Sequence, residues 1–353
     1  MTHPALKTRA TELFGVQYPI VQTGMGWVSD AKLTAATANA GGLGIISAGL
    51  LNYAELAQAI SDVQDLTDKP FGVNLRADSP DIGKFVELLI RAKVKVASFA
   101  LAPKQDLIGR LKDGGVVVIP SIGARRHAEK VAAWGADAVL VQGGEGGGHT
   151  GDVPTSLLLP QVVDAVDIPV IAAGGYFDGR GLVSALAYGA EGIAMGTRFL
   201  LTTDSPVAPA VKDVYLSKSV NDTVRTLQVD GVPQRVLNAG TIGELEASSG
   251  PRRLARAGRN ALAFKKISGT SWPDIVREGL SMKKTHELSW SQVVMAANAP
   301  MLYRSALVDG RTDVGVMATG QVVGMIDDLP SCQELITRVV SEADAVLNRL
   351  GKA

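Results

Sequence analysis

VLVQGGEGGGHTGD, residues 139–152, is the stretch on which the reading of this chain turns. Its opening, Val139-Leu140-Val141-Gln142, is a short apolar run closing on an amide. Five glycines then crowd around one glutamate, and His149 follows. Glycine-rich chain packs poorly as strand, so residues 143–148 are expected to form a loop able to lie against a flat ligand, with His149 at its far side. Outward from this point the same unit recurs. Apolar runs at 19–25, 43–49, 71–76, 94–101, 116–122, 138–143, 169–175 and 192–197 resemble one another. Each is short and nearly all apolar, the mark of strands buried on both faces of a parallel sheet. Amphipathic stretches such as DAKLTAATANAGG (30–42) and HAEKVAAWGADA (127–138) lie between them and close near glycine. Strand and helix alternate eight times, which predicts an α/β fold, a closed (β/α)₈ TIM barrel.

After about residue 205 the rhythm stops. Residues 206–300 read as a mainly helical insert, a lid or substrate domain, with a hairpin at 223–237 whose turn signal is Asp230-Gly231. Residues 301–353 return to the barrel, and SCQELITRVVSEADAVLNRL (331–350) reads as a last helix closing the outer ring. The division is therefore 1–205 with 301–353 for the barrel and 206–300 for the insert.

The 353 residues are 46% hydrophobic and 20% charged, with 35 basic and 35 acidic side chains. That balance gives no reason to expect nucleic acid or a membrane surface as partner. The single cysteine, Cys332, excludes an internal disulfide framework and suits a reducing cytoplasm. Neither a signal-peptide run nor a membrane-length apolar stretch is visible, so a cytoplasmic location is expected.

In barrels of this type chemistry sits where strands end. Gly174 and Gly175 follow the seventh run; Gly196 and Thr197 follow the eighth. Glycines there let backbone N–H groups approach an anion, which predicts a phosphate site. Histidine exchanges protons near neutral pH, so His149 is the candidate acid–base group. His127 and His286 lie on helical stretches and read as structural. Gln22, Asn74 and Gln142, amides at strand ends, either bond a heteroaromatic ring or ribityl chain or tie down a loop. No metal site is expected, since no second ligand stands at suitable spacing. A Rossmann nucleotide site is disfavoured, because no GxGxxG follows the first strand.

The motifs PIVQTGMGWVSD (19–30), AGGLGIISAG (40–49), KPFGVNLR (69–76), VLVQGGEGGGHTGD, PVIAAGG (169–175), MGTRFL (195–200) and TGQVVGMIDDLPSC (319–332) together resemble the nitronate monooxygenase superfamily of FMN barrels, which also holds flavin-dependent thioester reductases. The resemblance implies FMN, with its phosphate on Gly175, next to the cofactor-site candidate Gly174, and on Ala194, Met195, Gly196 and Thr197. It implies that Gln22, Gly24 and Met25 flank the flavin ring, that Asn74 and Gln142 bond it, and that Gly147 lies under it. His149 takes the place of the family's catalytic histidine. Monooxygenases of the family carry Q-x-P-M and AGGHRG; this chain has QTGMGW (22–27) and GGGHTG. The first is similar to the Q-G-G-M-x-W motif of reductases that use FMN with NADH or NADPH. FALAPKQ (99–105), IPSIGA (119–124) and SWSQVVMAAN (289–298) resemble the branch acting on CoA thioesters in steroid C/D-ring degradation. The expected activity is thus reduction or dehydrogenation of a cyclic CoA thioester through flavin. Alkyl nitronate oxidation is the alternative, and an enoyl-thioester reductase of fatty-acid metabolism a weaker one.

For substrate, Trp27 and three arginines of the insert, Arg252, Arg253 and Arg256, are the candidates. Most of the basic cluster around them belongs on a solvated helix face, but arginine's fork suits coenzyme A phosphates. A homodimer is carried as the candidate assembly.

Overall fold

Eight short apolar segments close on one another in a computed structural model of the chain, which describes residues 3–238, 242, 299–313 and 315–352. The strands are β1 (Ile20–Gln22), β2 (Leu43–Ser47), β3 (Phe71–Leu75), β4 (Val96–Phe99), β5 (Val117–Ile122), β6 (Val139–Gln142), β7 (Gly148–His149), β8 (Val170–Ala173) and β9 (Gly192–Met195). All but β7 form the closed parallel barrel, in the order β1-β2-β3-β4-β5-β6-β8-β9. Closure is carried by β1, where Val21 pairs with Leu43 on one side and Ala194 on the other. The eight strands fall within the eight apolar runs of the sequence, and the fold is the TIM barrel expected from them.

Side chains pointing inward, among them Val21, Ile45, Val96, Ile119, Leu140 and Ile171, fill the barrel as one packed cluster. Ala10 and Phe14 of α1 (Arg9–Phe14) join that cluster. The Thr8 hydroxyl, which caps this helix, donates to Glu191 O just ahead of β9 at 2.6 Å. The end where strands begin is thereby plugged. The opposite end, where strands finish, is left for ligands.

The helices pack outside because each buries one face. In α4 (Ile82–Arg91) Phe85, Val86, Leu88 and Leu89 are buried, and in α5 (Gln105–Asp113) Leu107, Ile108 and Leu111. Burying one such side chain stabilises by roughly 1.5–3 kcal/mol. The C-terminal helix Cys332–Leu350 starts at a capping box of Ser331 and Glu334 and packs on α2 (Ala31–Asn39) and α8 (Gly179–Ala187), completing the outer ring. Cys332 is buried there, and burial pushes its thiol up to about 12. Among the described residues no helix is long and apolar enough to cross a membrane.

Beyond the barrel, α10 (Pro209–Leu216) contributes Val211 and Tyr215 to the main core. The hairpin of β10 (Thr223–Thr226) and β11 (Gln234–Leu237) follows. Asp230-Gly231 does not make a two-residue turn; the connection runs from 227 to 233. Val229, Val236, Ile242, Ala299 and Val316 form a separate small core under the hairpin. The helix Ala299–Leu307 straddles the boundary drawn at residue 300. The rest of the insert, with Arg252, Arg253, Arg256 and His286, lies outside the described residues.

Candidate active site at the barrel mouth

The loops that end β6, β8, β9, β1 and β3 converge. A β-carbon at Gly24 would collide with Asn74 Cβ, so the β1 loop can pass over the end of β3 only because position 24 has none. A β-carbon at Gly196 would sit 3.5 Å from Met25 Sδ, bringing the ends of β9 and β1 into contact. Gly174 and Gly175 take φ of +99° and +82°, consecutive left-handed positions that L side chains resist. They turn the chain after β8 beside the glycine run, where a β-carbon at Gly174 would be 3.1 Å from Gly143 O. Thr197 opens the short helix after β9, and its Oγ1 accepts from Gly320 N at 3.0 Å.

The glycine run is a bonded turn rather than a free loop. Thr150 Oγ1 donates to Gly143 O at 2.9 Å and Gly144 N to Val153 O at 2.7 Å. Glu145, half-buried, accepts from Thr155 N and Thr155 Oγ1 at 2.9 and 2.7 Å. It thus caps α7 (Thr155–Val163) with a favourable negative charge. The expectation of pure loop needs correction at the far end. Gly148 and His149 form β7, an antiparallel edge strand opposite Arg235 and Gln234 of β11. Pairing partners distant in sequence supplied the ladder that local composition argues against.

The amides divide by role. Gln22 is fully buried; its Nε2 donates to Ser29 Oγ at 2.8 Å and to Thr23 O and Ile45 O, and its Oε1 accepts from Ile45 N at 3.2 Å. Both ends of this amide are taken, and they brace the turn carrying Gly24 and Met25. Gln142 Nε2 donates to Gly147 O and His149 O at 3.2 and 2.9 Å. Asn74 Nδ2 donates to Ser98 Oγ at 3.2 Å. The amide oxygens of Asn74 and Gln142 take no bond from the described protein. Gly147 packs against the Thr319–Gly320 backbone, within 2.6 Å of Gly320 N for a β-carbon placed there.

His149 stands out from the mouth with 60% of its side chain exposed. Its Nε2 lies 2.6 Å from Asp230 Oδ2, whose side chain is only 10% exposed. Asp230 Oδ1 accepts from Val232 N at 3.0 Å. Beside this pair, Tyr303 donates to Gln234 Oε1, and burial first, then Asp230's charge, hold the Tyr303 phenol well above its usual range. Arg235 donates twice to Gly144 O, at 3.1 and 2.9 Å, locking the hairpin to the glycine run. Trp27 has a left-handed backbone, φ +64°, a conformation rarely held by a bulky residue. Its ring donates from Nε1 to Pro300 O at 3.2 Å and carries Arg304 over its face at 5.6 Å.

His149, Gly24, Met25, Asn74, Gln142, Gly147, Gly174, Gly175, Gly196 and Thr197 are therefore brought to one mouth, with Ala194 and Met195 in the wall of β9 beneath it. Asp230, Arg235 and Thr319–Gly320 were not singled out as site residues from sequence. Asp230 looked like turn chemistry, and no spacing rule links it to a histidine 81 positions earlier. Among the described residues no cluster of metal-ligating side chains occurs.

A profile of the nitronate monooxygenase family matches residues 7–87 and 83–342. The chain is 59% identical over 346 residues to a protein of Rhodococcus jostii named (3aS,4S,5R,7aS)-5-hydroxy-7a-methyl-1-oxo-octahydro-1H-indene-4-carboxyl-CoA dehydrogenase, covering 98% of each. A protein of Mycobacterium tuberculosis with the same name is 61% identical over 341 residues, covering 96% of each. Among solved structures, FabK from Thermotoga maritima superposes with a TM-score of 0.79 at 34% identity, covering 98% of this chain and 99% of that one. With that profile spanning most of its length, the chain belongs to the nitronate monooxygenase family.

Proposed function

We propose that this oxidoreductase is an FMN-dependent dehydrogenase of a bicyclic hydroxy-oxo-indane carboxyl-CoA thioester. The observation that carries the reading is identity of about three residues in five, over nearly the full chain, with two dehydrogenases of that substrate. The mouth fits a flavin. Consecutive left-handed glycines at 174–175 and the helix start at Gly196–Thr197 offer backbone N–H groups without a β-carbon in the way, suited to a phosphate. The unbonded amide oxygens of Asn74 and Gln142 suit the N–H and hydroxyl groups of a flavin ring and its ribityl chain. Gln22 acts from behind, bracing Gly24 and Met25, and Gly147, lacking a β-carbon, lets the glycine run beneath the ring lie directly on the Thr319–Gly320 backbone.

Bound flavin supplies a hydride acceptor. His149 supplies the base: it takes the proton from the ring carbon α to the thioester, which the carbonyl acidifies, while the neighbouring ring carbon gives up hydride. The product is a ring double bond conjugated with the thioester, and solvent around His149 receives the proton. Trp27 and Arg304 form a flat cationic wall across the mouth, and Arg252, Arg253 and Arg256 are proposed to meet the coenzyme A phosphates. NADH or NADPH formation carries the electrons away, the reverse transfer being open to the same site. The location proposed is the cytoplasm, with a homodimer as the assembly.

Anaerobic mixing of FMN-loaded protein with the thioester should bleach the flavin absorbance, and NAD⁺ or NADP⁺ should restore it. Bleaching by a nitronate but not by the thioester would instead favour nitronate oxidation, the reading that the family's own name supports.

A further inference from the structure

Asp230 lies on the hairpin, outside the barrel, yet its carboxylate is buried and its two oxygens have distinct duties. Oδ1 is held by Val232 N at 3.0 Å, and Oδ2 faces His149 Nε2 at 2.6 Å. A second set of bonds fixes the backbone that carries the imidazole. The His149 carbonyl accepts from Gln142, Thr150 N donates to Pro233 O at 3.1 Å, and His149 registers opposite Gln234. Histidine and aspartate are thus fixed relative to each other through backbone on both sides. Nothing else among the described residues offers Asp230 a positive charge. Tyr303, the nearby phenol, spends its proton on Gln234 Oε1 and stays neutral. A buried carboxylate needs compensation beyond one backbone N–H, and the His149 ring is the side chain placed to give it.

We infer that Asp230 is a positioning residue that holds His149 as the Nε2–H tautomer and makes Nδ1 the nitrogen that exchanges a proton with substrate. An ionised carboxylate can only accept, so Nε2 must carry the hydrogen and the lone pair is left on Nδ1. When Nδ1 takes the proton from substrate, the imidazolium keeps its Nε2–H on Asp230, which stays ionised and balances the new charge. A bound flavin would accept the hydride, and the proton leaves Nδ1 for solvent. The hairpin is then part of the acid–base apparatus, and seating it on the glycine run through Arg235 completes the base. This inference rests on the reading of His149 as the base.

The test has two arms. Long-range ¹⁵N–¹H spectra of the full chain, with His149 assigned by loss of its signals in His149→Ala, report the tautomer without any turnover. Wild type should show protonated Nε2 and unprotonated Nδ1, and Asp230→Asn should lose that bias. Protonated Nδ1 in the wild type would overturn the inference whether or not any variant folds. In kinetics, Asp230→Asn should lower kcat on the order of 10²–10⁴-fold with flavin still bound and KM little changed. Asp230→Glu should recover part of it. A kcat for Asp230→Asn within about threefold of wild type, where His149→Ala is dead, would also overturn it. If the wild type is not reduced by the thioester at all, the functional reading fails instead, and the spectra still decide the tautomer.

Discussion

Strands β6, β8, β9 and β1 stand side by side in the barrel wall, and glycine follows within two residues of each of their ends, at Gly143, Gly174, Gly196 and Gly24. Across the barrel, β3 and β4 finish in Leu75 and Phe99, both fully buried, and their helices α4 and α5 seat Val86, Leu89, Ile108 and Leu111 against them in one apolar cluster. One arc gives up side chains and accepts left-handed backbone so that a ligand can approach; the other lends the mouth only Asn74 and otherwise holds the shape. The two arcs share one hydrogen-bonded wall, so substitutions in them should separate turnover from stability.

The largest expected effect is on the open arc. His149→Ala should cut turnover by about 10³-fold, within the range general acid–base groups supply, while the flavin spectrum shows normal occupancy. On the closed arc, Leu89→Ala should destabilise by about 2–5 kcal/mol in denaturant titration, yet leave kcat/KM of the folded enzyme within about twofold. A catalytic loss there would break the comparison. Gly175→Ala forces an L side chain to φ +82°, costing roughly 1–2 kcal/mol. Because that strain falls on the turn proposed to hold the phosphate, flavin affinity should weaken by about tenfold, as a fluorescence titration would register. Arg125→Ala removes an exposed i,i+4 pair with Glu129, and should cost no more than about 0.5 kcal/mol.

How far the sequence carried differs between the arcs for physical reasons. Strand burial is local information: a run such as VLV or VIAA announces itself, and eight of them announce a barrel. Glycines at strand ends are equally local, which is why Gly174, Gly175 and Gly196 could be assigned to a mouth without coordinates. Bonds between distant segments leave no such trace. Gln22 and Gln142 read equally well as flavin ligands or loop ties; in the structure Gln22 has both amide ends taken, while Gln142 ties the glycine run with its nitrogen only. Asp230 and Arg235 acquire their importance from one hairpin that lays β11 along β7. Glycine-rich composition argued against a strand at 148–149, and only that partner makes one.

Single-turnover flavin reduction tests the central claim most directly. FMN-loaded wild type and His149→Ala should be mixed anaerobically with the hydroxy-oxo-indane carboxyl-CoA thioester and followed at the flavin absorbance band. The wild type should bleach within the mixing experiment, and the variant, equally loaded with flavin, should bleach about 10³-fold more slowly. Equal rates in the two would remove His149, and the glycine run that presents it, from the chemistry.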